Sequence, residues 1–302
     1  MKIAIAGGTG FVGKKLTDYL LEQSHEVLIL TRNAAKTSDH PRLHFVEWFK
    51  ANSAPEIELQ EVDAVINLAG ESLNSGRWSE ARKRRILESR VTATKEIVRI
   101  LSSLPKKPKV LLNASAVGIY GTSESETFTE ETTQIGNDFL ANTVSAWEQK
   151  ANEASHLGVR TCFLRLGVVL GAGGGALTRM VLPYQFFIGG TIGSGKQWLS
   201  WIHIDDVVKG IDFLLQHETV SGPVNFTAPN PVRMKEFGQT AGSVLHRPHW
   251  LPVPGFALQL LLGEMSILVL EGQNVLPKKL VENGFSFTFD TVEKALTDIF
   301  ER

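Results

Sequence analysis

Short apolar runs recur along the first half of the chain, and the stretches between them repeat their apolar residues at helical spacing. The runs predict strands over residues 2–6, 26–31, 43–46, 64–68 and 110–114. The amphipathic stretches predict helices over 13–23, 80–101 and 139–154, with Ile86, Val91, Ile97 and Leu101 among the apolar positions of the second. Residues 161–170 close the series as a β-rich run. The strands are apolar throughout rather than alternating, as in a parallel sheet covered on both faces. With right-handed crossovers this is an α/β, doubly wound fold. After Leu170 the pattern changes. Glycine-rich segments occupy 171–175 and 189–195, and proline punctuates 223–254. The expectation is a main unit over 1–170 and a smaller substrate-side domain over most of 171–302. The apolar segment 223–228 is expected to return to the main sheet.

Composition narrows the class. The 302 residues are 43% hydrophobic and 21% charged, ordinary for a globular chain with room for a sizeable core. With 31 basic and 32 acidic residues, a global electrostatic case for nucleic acid is absent. One cysteine excludes an internal disulfide framework. The start lacks the cationic region, longer apolar stretch and cleavage site of a signal peptide. The longest apolar stretch, 256–270, is interrupted by Gln259, Gly263 and Glu264 and is too short to span a bilayer. A cytoplasmic protein is expected.

Gly7-x-x-Gly10-x-x-Gly13 directly follows the first strand and opens the first helix, the context a dinucleotide fingerprint requires. Gly7 permits the tight turn, Gly10 lets a pyrophosphate approach, and Gly13 lets helix pack on strand. Phe11 and Val12 lie between them at the helix N-terminus, which attracts the phosphate charge. The second strand ends Leu30-Thr31-Arg32-Asn33, without the acid that binds the ribose hydroxyls of NAD. Arg32 beside Thr31 instead suits a 2′-phosphate, and Lys36 adds charge nearby. NADP is the expected cofactor.

These features, with others downstream, resemble the short-chain dehydrogenase/reductase superfamily in its extended, sugar-nucleotide epimerase-like branch. Asn67-Leu68-Ala69-Gly70 resembles the loop after strand four that flanks adenine and ribose. Arg90-Val91-Thr92-Ala93-Thr94 resembles the NVxGT helix, with Arg90 where Asn is usual. Ala114-Ser115-Ala116, followed by Tyr120-Gly121, resembles the strand-five segment SSxxxYG. Residues 165–171 are similar to the RxxxVYG segment, and 201–207 to FIHVDDVA. The stretch 251–265 is similar to the LPVPxFALxxxLGEM of some epimerase-family proteins.

The resemblance implies chemistry through Tyr-x-x-x-Lys, and this chain has none. Its three tyrosines, Tyr19, Tyr120 and Tyr184, are followed four residues on by Gln23, Glu124 and Ile188. Aligning Trp147-Glu148 with the family's glutamate puts Leu140 and Val144 at the tyrosine and lysine positions, and neither moves a proton.

Three residues are candidate replacements. Ser115, at the carboxyl end of strand five, either bonds a substrate carbonyl or hydroxyl or caps the loop. Tyr120 is the best-placed phenol or packs at its turn. His203 is a neutral acid/base or a structural residue beside a helix cap supplied by Asp205 or Asp206. No sequence spacing supports a metal. Residues 76–95 carry seven Arg and Lys, either a solvated helix face or an anion-attracting surface that suits a phosphorylated or carboxylated substrate. The glycine segments are either lid hinges or plain connections, and Cys162 reads as core. The expected function is an NADP-dependent oxidoreductase or epimerase-like enzyme acting on a small polar substrate; the alternative is an NADP(H)-binding protein without turnover.

Overall fold

The computed structural model describes residues 1–33 and 37–301. Seven strands form one parallel sheet: β1 (Lys2–Ala6), β2 (Glu26–Thr31), β3 (Leu43–Glu47), β4 (Ala64–Asn67), β5 (Val110–Ala116), β6 (Arg160–Leu166) and β7 (Gly222–Phe226). Their order is β3-β2-β1-β4-β5-β6-β7. Strand order reverses between β1 and β4, which opens a ligand crevice at the carboxyl ends of the strands.

Alternation of side chains explains the continuous apolar runs. Ile3, Ile5, Val27, Ile29, Ala64 and Ile66 face one core, whereas Ala4, Ala6, Leu28, Leu30 and Val65 face the other. Helices α1 (Phe11–Glu22) and α4 (Ile204–Gln216) cover the first face through Leu16, Leu20, Val207 and Ile211. Helix α2 (Glu80–Ser103) covers the second through Ala93, Ile97 and Leu101. Helix α3 (Phe139–Asn152) packs against α2. A further apolar cluster gathers Leu170, Tyr184, Trp201, Phe237 and Leu296 in the C-terminal region.

Two expectations are corrected. Helix α1 begins at Phe11, two residues before the expected start, with Gly10 as its N-cap. The 161–170 run is two strands: β6 ends at Leu166, and Val168–Leu170 pairs instead with Trp201–His203. The switch occurs at Gly167, where a Cβ would lie 2.5 Å from the Ser200 carbonyl oxygen. Gly222–Phe226 forms β7, parallel to β6, and residues 227–228 of the 223–228 segment lie beyond its end. No helix among the described residues is long and apolar enough to cross a membrane.

Candidate functional site

The turn after β1 is shaped by its glycines. Gly7 has φ of 81°, and a Cβ there would sit 2.7 Å from the Leu68 carbonyl. Gly13 is pressed onto the same turn, where a Cβ would lie 2.1 Å from the Gly7 oxygen. Gly10 differs: its Cβ would meet only the Gly7 oxygen, at 3.3 Å. The first helical hydrogen bond joins the Lys14 amide to the Gly10 oxygen at 2.8 Å, so the amides of Phe11, Val12 and Gly13 precede the ladder. No side chain caps this end and no acid occupies its first turn. The residues present therefore fit a dinucleotide phosphate.

Around this cradle, Leu68 and Ala69 lie directly against Gly7. Gly70 lies against the Arg90 side chain, whose guanidinium donates to the Glu71 and Ile86 carbonyls. Burial lowers the Arg90 pKa to about 10. Thr31 is buried at the end of β2 and its hydroxyl accepts from the Asn33 amide. Arg32 follows, exposed at the carboxyl edge. Lys36 lies outside the described residues.

The first glycine segment packs against the start of α1. Cβ atoms at Gly174 and Gly175 would lie 2.4 and 3.0 Å from the Phe11 ring, and one at Gly171 would also meet it. The segment is a small-residue shell around Phe11, which ties the C-terminal half to α1.

Ser115 and Tyr120 belong to one buried polar chain. The Ser115 hydroxyl donates to Glu148 Oε1 at 2.5 Å, and Arg165 grips both Glu148 oxygens at 2.9 Å. Arg165 also donates to the Tyr120 hydroxyl at 2.9 Å, which donates to Asn225 Oδ1 at 2.8 Å. Burial works against the Arg165 charge, yet the Glu148 carboxylate holds its pKa above the ordinary value. Burial likewise pushes the Tyr120 phenol up, against the pull of Arg165. The chain joins β5, α3, β6 and β7, and it occupies both hydroxyls. The sequence reading missed Glu148, Arg165 and Asn225 as partners. A buried Arg in a strand was the available signal, since such a charge requires a counter-ion.

Leu140 and Val144 pack in apolar surroundings, Leu140 with Trp78 and Met265, Val144 with Tyr120 and Phe128. A second buried network joins Asn67 to Thr94 and Asn113, and Trp147 to Thr94. It locks α2 and α3 to the sheet beneath the cleft.

His203 is 2% exposed and is itself the N-cap of α4, accepting from the Asp205 amide at 3.2 Å. This corrects the assignment of the cap to Asp205 or Asp206. The Asp206 carboxylate is used elsewhere, accepting from the Thr288 and Phe289 amides. His203 Nε2 faces Asp298 at 3.4 Å, and Asp205 pairs with Lys15 at 3.0 Å. His203, Asp205 and Asp298 thus place possible ligand atoms within 4.8 Å of one another, a grouping that sequence spacing does not reveal.

The 76–95 segment is not a uniform basic face. Arg82 is buried against Glu71, Lys83 pairs with Glu80 and Glu264, and Trp78 is buried in the apolar cluster with Met265. At the carboxyl edge a cavity of about 630 Å³ opens between the loop running from Tyr120 to Asp138 and the segment 259–271.

A family model described as the NAD dependent epimerase/dehydratase family matches residues 3–226, and one described as a domain of unknown function, DUF1731, matches residues 253–299. Epimerase family protein YfhF of Bacillus subtilis is 50% identical over 299 residues, 99% of this chain and 98% of that protein. The crystal structure of human epimerase family protein SDR39U1 (isoform 2) with NADPH superposes with a TM-score of 0.87 at 32% identity, covering 100% of both chains. UDP-glucuronic acid 4-epimerase from Bacillus cereus in complex with NAD gives a TM-score of 0.79 at 16% identity, covering 100% of this chain and 96% of that one, a likeness of fold alone.

Proposed function

The chain belongs to the NAD dependent epimerase/dehydratase family, and on that footing we propose that it binds NADP(H) in preference to NAD(H) and acts as an oxidoreductase on a small polar molecule. The observation that carries the cofactor reading is the bare, glycine-lined N-terminus of α1 with Arg32 exposed beyond β2. The amides of Phe11, Val12 and Gly13 would hold the pyrophosphate, and Arg32 the 2′-phosphate, through charge-assisted hydrogen bonds. The human relative crystallised with NADPH supports the same choice.

NADPH, when bound, supplies a hydride. The chain's own part is to fix the dinucleotide along the carboxyl edge and to present a polar cavity beside it. Proton transfer by the family's tyrosine route has no counterpart here, because Leu140 and Val144 stand at those positions. Ser115 and Tyr120 serve best as positioning residues, since both hydroxyls are spent on buried partners. The proton is then exchanged with solvent through the open cavity. A second reading, NADP(H) binding without turnover, is favoured by those same occupied hydroxyls.

Calorimetric titration of both cofactors tests the first part. NADPH should bind more tightly than NADH, and Arg32→Ala should cost about 1.5–3 kcal/mol for NADPH, the range of a charged hydrogen bond, with little change for NADH. Equal affinities in the wild type would remove the preference. Loss of NADPH absorbance against a carbonyl panel separates the two readings: oxidation supports the enzyme, and none across a broad panel supports the binding protein.

A further inference from the structure

Most of the exposed large apolar side chains among the described residues fall in two segments, 182–188 and 250–261. Phe186, Trp250, Phe256 and Leu260 are 67%, 64%, 73% and 80% exposed, and Phe187 and Ile188 are half-exposed. Backbone bonds join the two segments. The Trp250 and Leu251 amides donate to the Gly189 oxygen at 2.9 and 3.0 Å, and the Val253 amide donates to the Thr191 oxygen at 2.9 Å. The Trp250 indole donates to the Phe187 oxygen at 2.9 Å, so the ring stands exposed with its N–H already satisfied. The helix Gly255–Leu262 continues from this ladder, with Phe256 and Leu260 one turn apart on it. At about 150–250 Å² per aromatic side chain, the four rings alone expose roughly 400–600 Å². That matches the largest apolar patch of an ordinary monomer before Ile188 and Leu260 are added. Phe187 is also held at a φ of 60°, a conformation unfavourable for a bulky side chain.

We propose that this face docks the protein on an anionic phospholipid surface, lying in the headgroup layer and not spanning it. Charge decides the occupant. No Asp or Glu occurs from residue 154 to 204 or from 237 to 263, the two stretches that carry the patch. Arg179 and Arg247 are exposed within them and make no ion pair among the described residues. Arg179 lies one turn before Leu182 on the helix Leu177–Gln185, and the Arg247 guanidinium lies 4.5 Å from the centre of the Phe187 ring. Exposed Trp, Phe and Leu with arginines and no acid are the composition of an interfacial membrane face: the rings enter the acyl boundary and the arginines meet phosphates. A second copy docked here would bring the same uncompensated arginines and no acid to receive them. No part of this depends on the cofactor reading.

The test is flotation of the full chain with vesicles of phosphatidylcholine, alone or with about 30% phosphatidylglycerol, at about 0.1 M salt. Binding to the anionic vesicles should be at least about tenfold tighter than to the neutral ones, and should weaken at about 0.5 M salt. Arg179→Gln/Arg247→Gln should bind the anionic vesicles about tenfold more weakly or worse. Phe186→Ser/Leu260→Ser should bind neither kind. All four side chains are exposed, so the unfolding midpoints should match the wild type. If a pair is destabilised, Trp250→Phe decides, because it keeps an apolar ring. Bromine-labelled lipid should quench the wild-type fluorescence and spare that variant, since Trp250 is the most exposed of the six tryptophans. The proposal is overturned if the wild type ignores anionic vesicles or binds neutral ones equally, if either folded pair binds as the wild type does, or if quenching persists in Trp250→Phe. A dimer in light scattering that Phe186→Ser/Leu260→Ser dissociates, with no vesicle binding, would overturn it in favour of a second copy.

Discussion

Replacing Arg165 by Met tests whether the buried polar chain is structural. Arg165 and Glu148 are each 8% exposed, and the guanidinium makes three hydrogen bonds at 2.9 Å, two to Glu148 and one to Tyr120. Met keeps much of the side-chain length but leaves the Glu148 carboxylate in the protein interior with the Ser115 hydroxyl as its remaining donor. An orphaned buried charge of this kind costs about 3–5 kcal/mol. In a chain of this length that is roughly a 6–10 °C fall in Tm, at about 2 °C per kcal/mol. The companion variant Glu148→Leu should cost a similar amount, because it orphans Arg165 instead. The double variant carries neither charge. It should be far more stable than the sum of the two losses implies, with a coupling of at least about 2 kcal/mol. Urea unfolding of the four proteins, with equal m-values, gives the cycle. Additivity within about 0.5 kcal/mol would refute the reasoning and place Arg165 in solvent-screened surroundings.

Three further outcomes follow from the same geometry. Ser115→Ala removes a donor to the buried Glu148 carboxylate, so urea unfolding should show a loss of about 1–3 kcal/mol; a normal unfolding midpoint together with a 10²–10⁴-fold drop in turnover would restore Ser115 as a proton-transfer group. Gly10→Val should fold, since its Cβ meets a single atom at 3.3 Å, yet lose NADPH, whereas Gly13→Ala should lower Tm because its Cβ would lie 2.1 Å from the Gly7 oxygen; cofactor binding by folded Gly10→Val would move the site elsewhere. Burial raises the pKa of Glu130, whose backbone hydrogen bonds from Asn225 and Lys279 only partly offset it. Stability from this group is full below the ordinary glutamate value and is lost as pH rises through the raised one. Glu130→Gln should therefore gain Tm over the wild type progressively from about pH 4.5 upward, the ordinary range for glutamate; a gap that stays flat between pH 4 and 8 would contradict the shift.

Local pattern determined much of this protein. Strand and helix identities follow from side-chain periodicity, because one face of each element must be dry whatever it packs against. The β1 and β2 bounds are read from the apolar runs to the residue. The Gly7, Gly10 and Gly13 turn is legible because its backbone geometry is itself local, and so is the absence of an acid after β2. The missing Tyr-x-x-x-Lys is likewise a statement about one helical turn. Tertiary structure decided the rest. Ser115, Glu148, Arg165, Tyr120 and Asn225 come from separate elements, and whether their hydroxyls are free or spent depends on the stagger of β5, β6 and β7 and on where α3 lies across them. His203 as a cap, Asp206 as an anchor for the 288–289 backbone, and the glycines around Phe11 are of the same kind. Periodicity encodes which side of an element is buried. A hydrogen bond needs atoms placed within a few tenths of an ångström, and between residues far apart in sequence only the packed sheet supplies that placement.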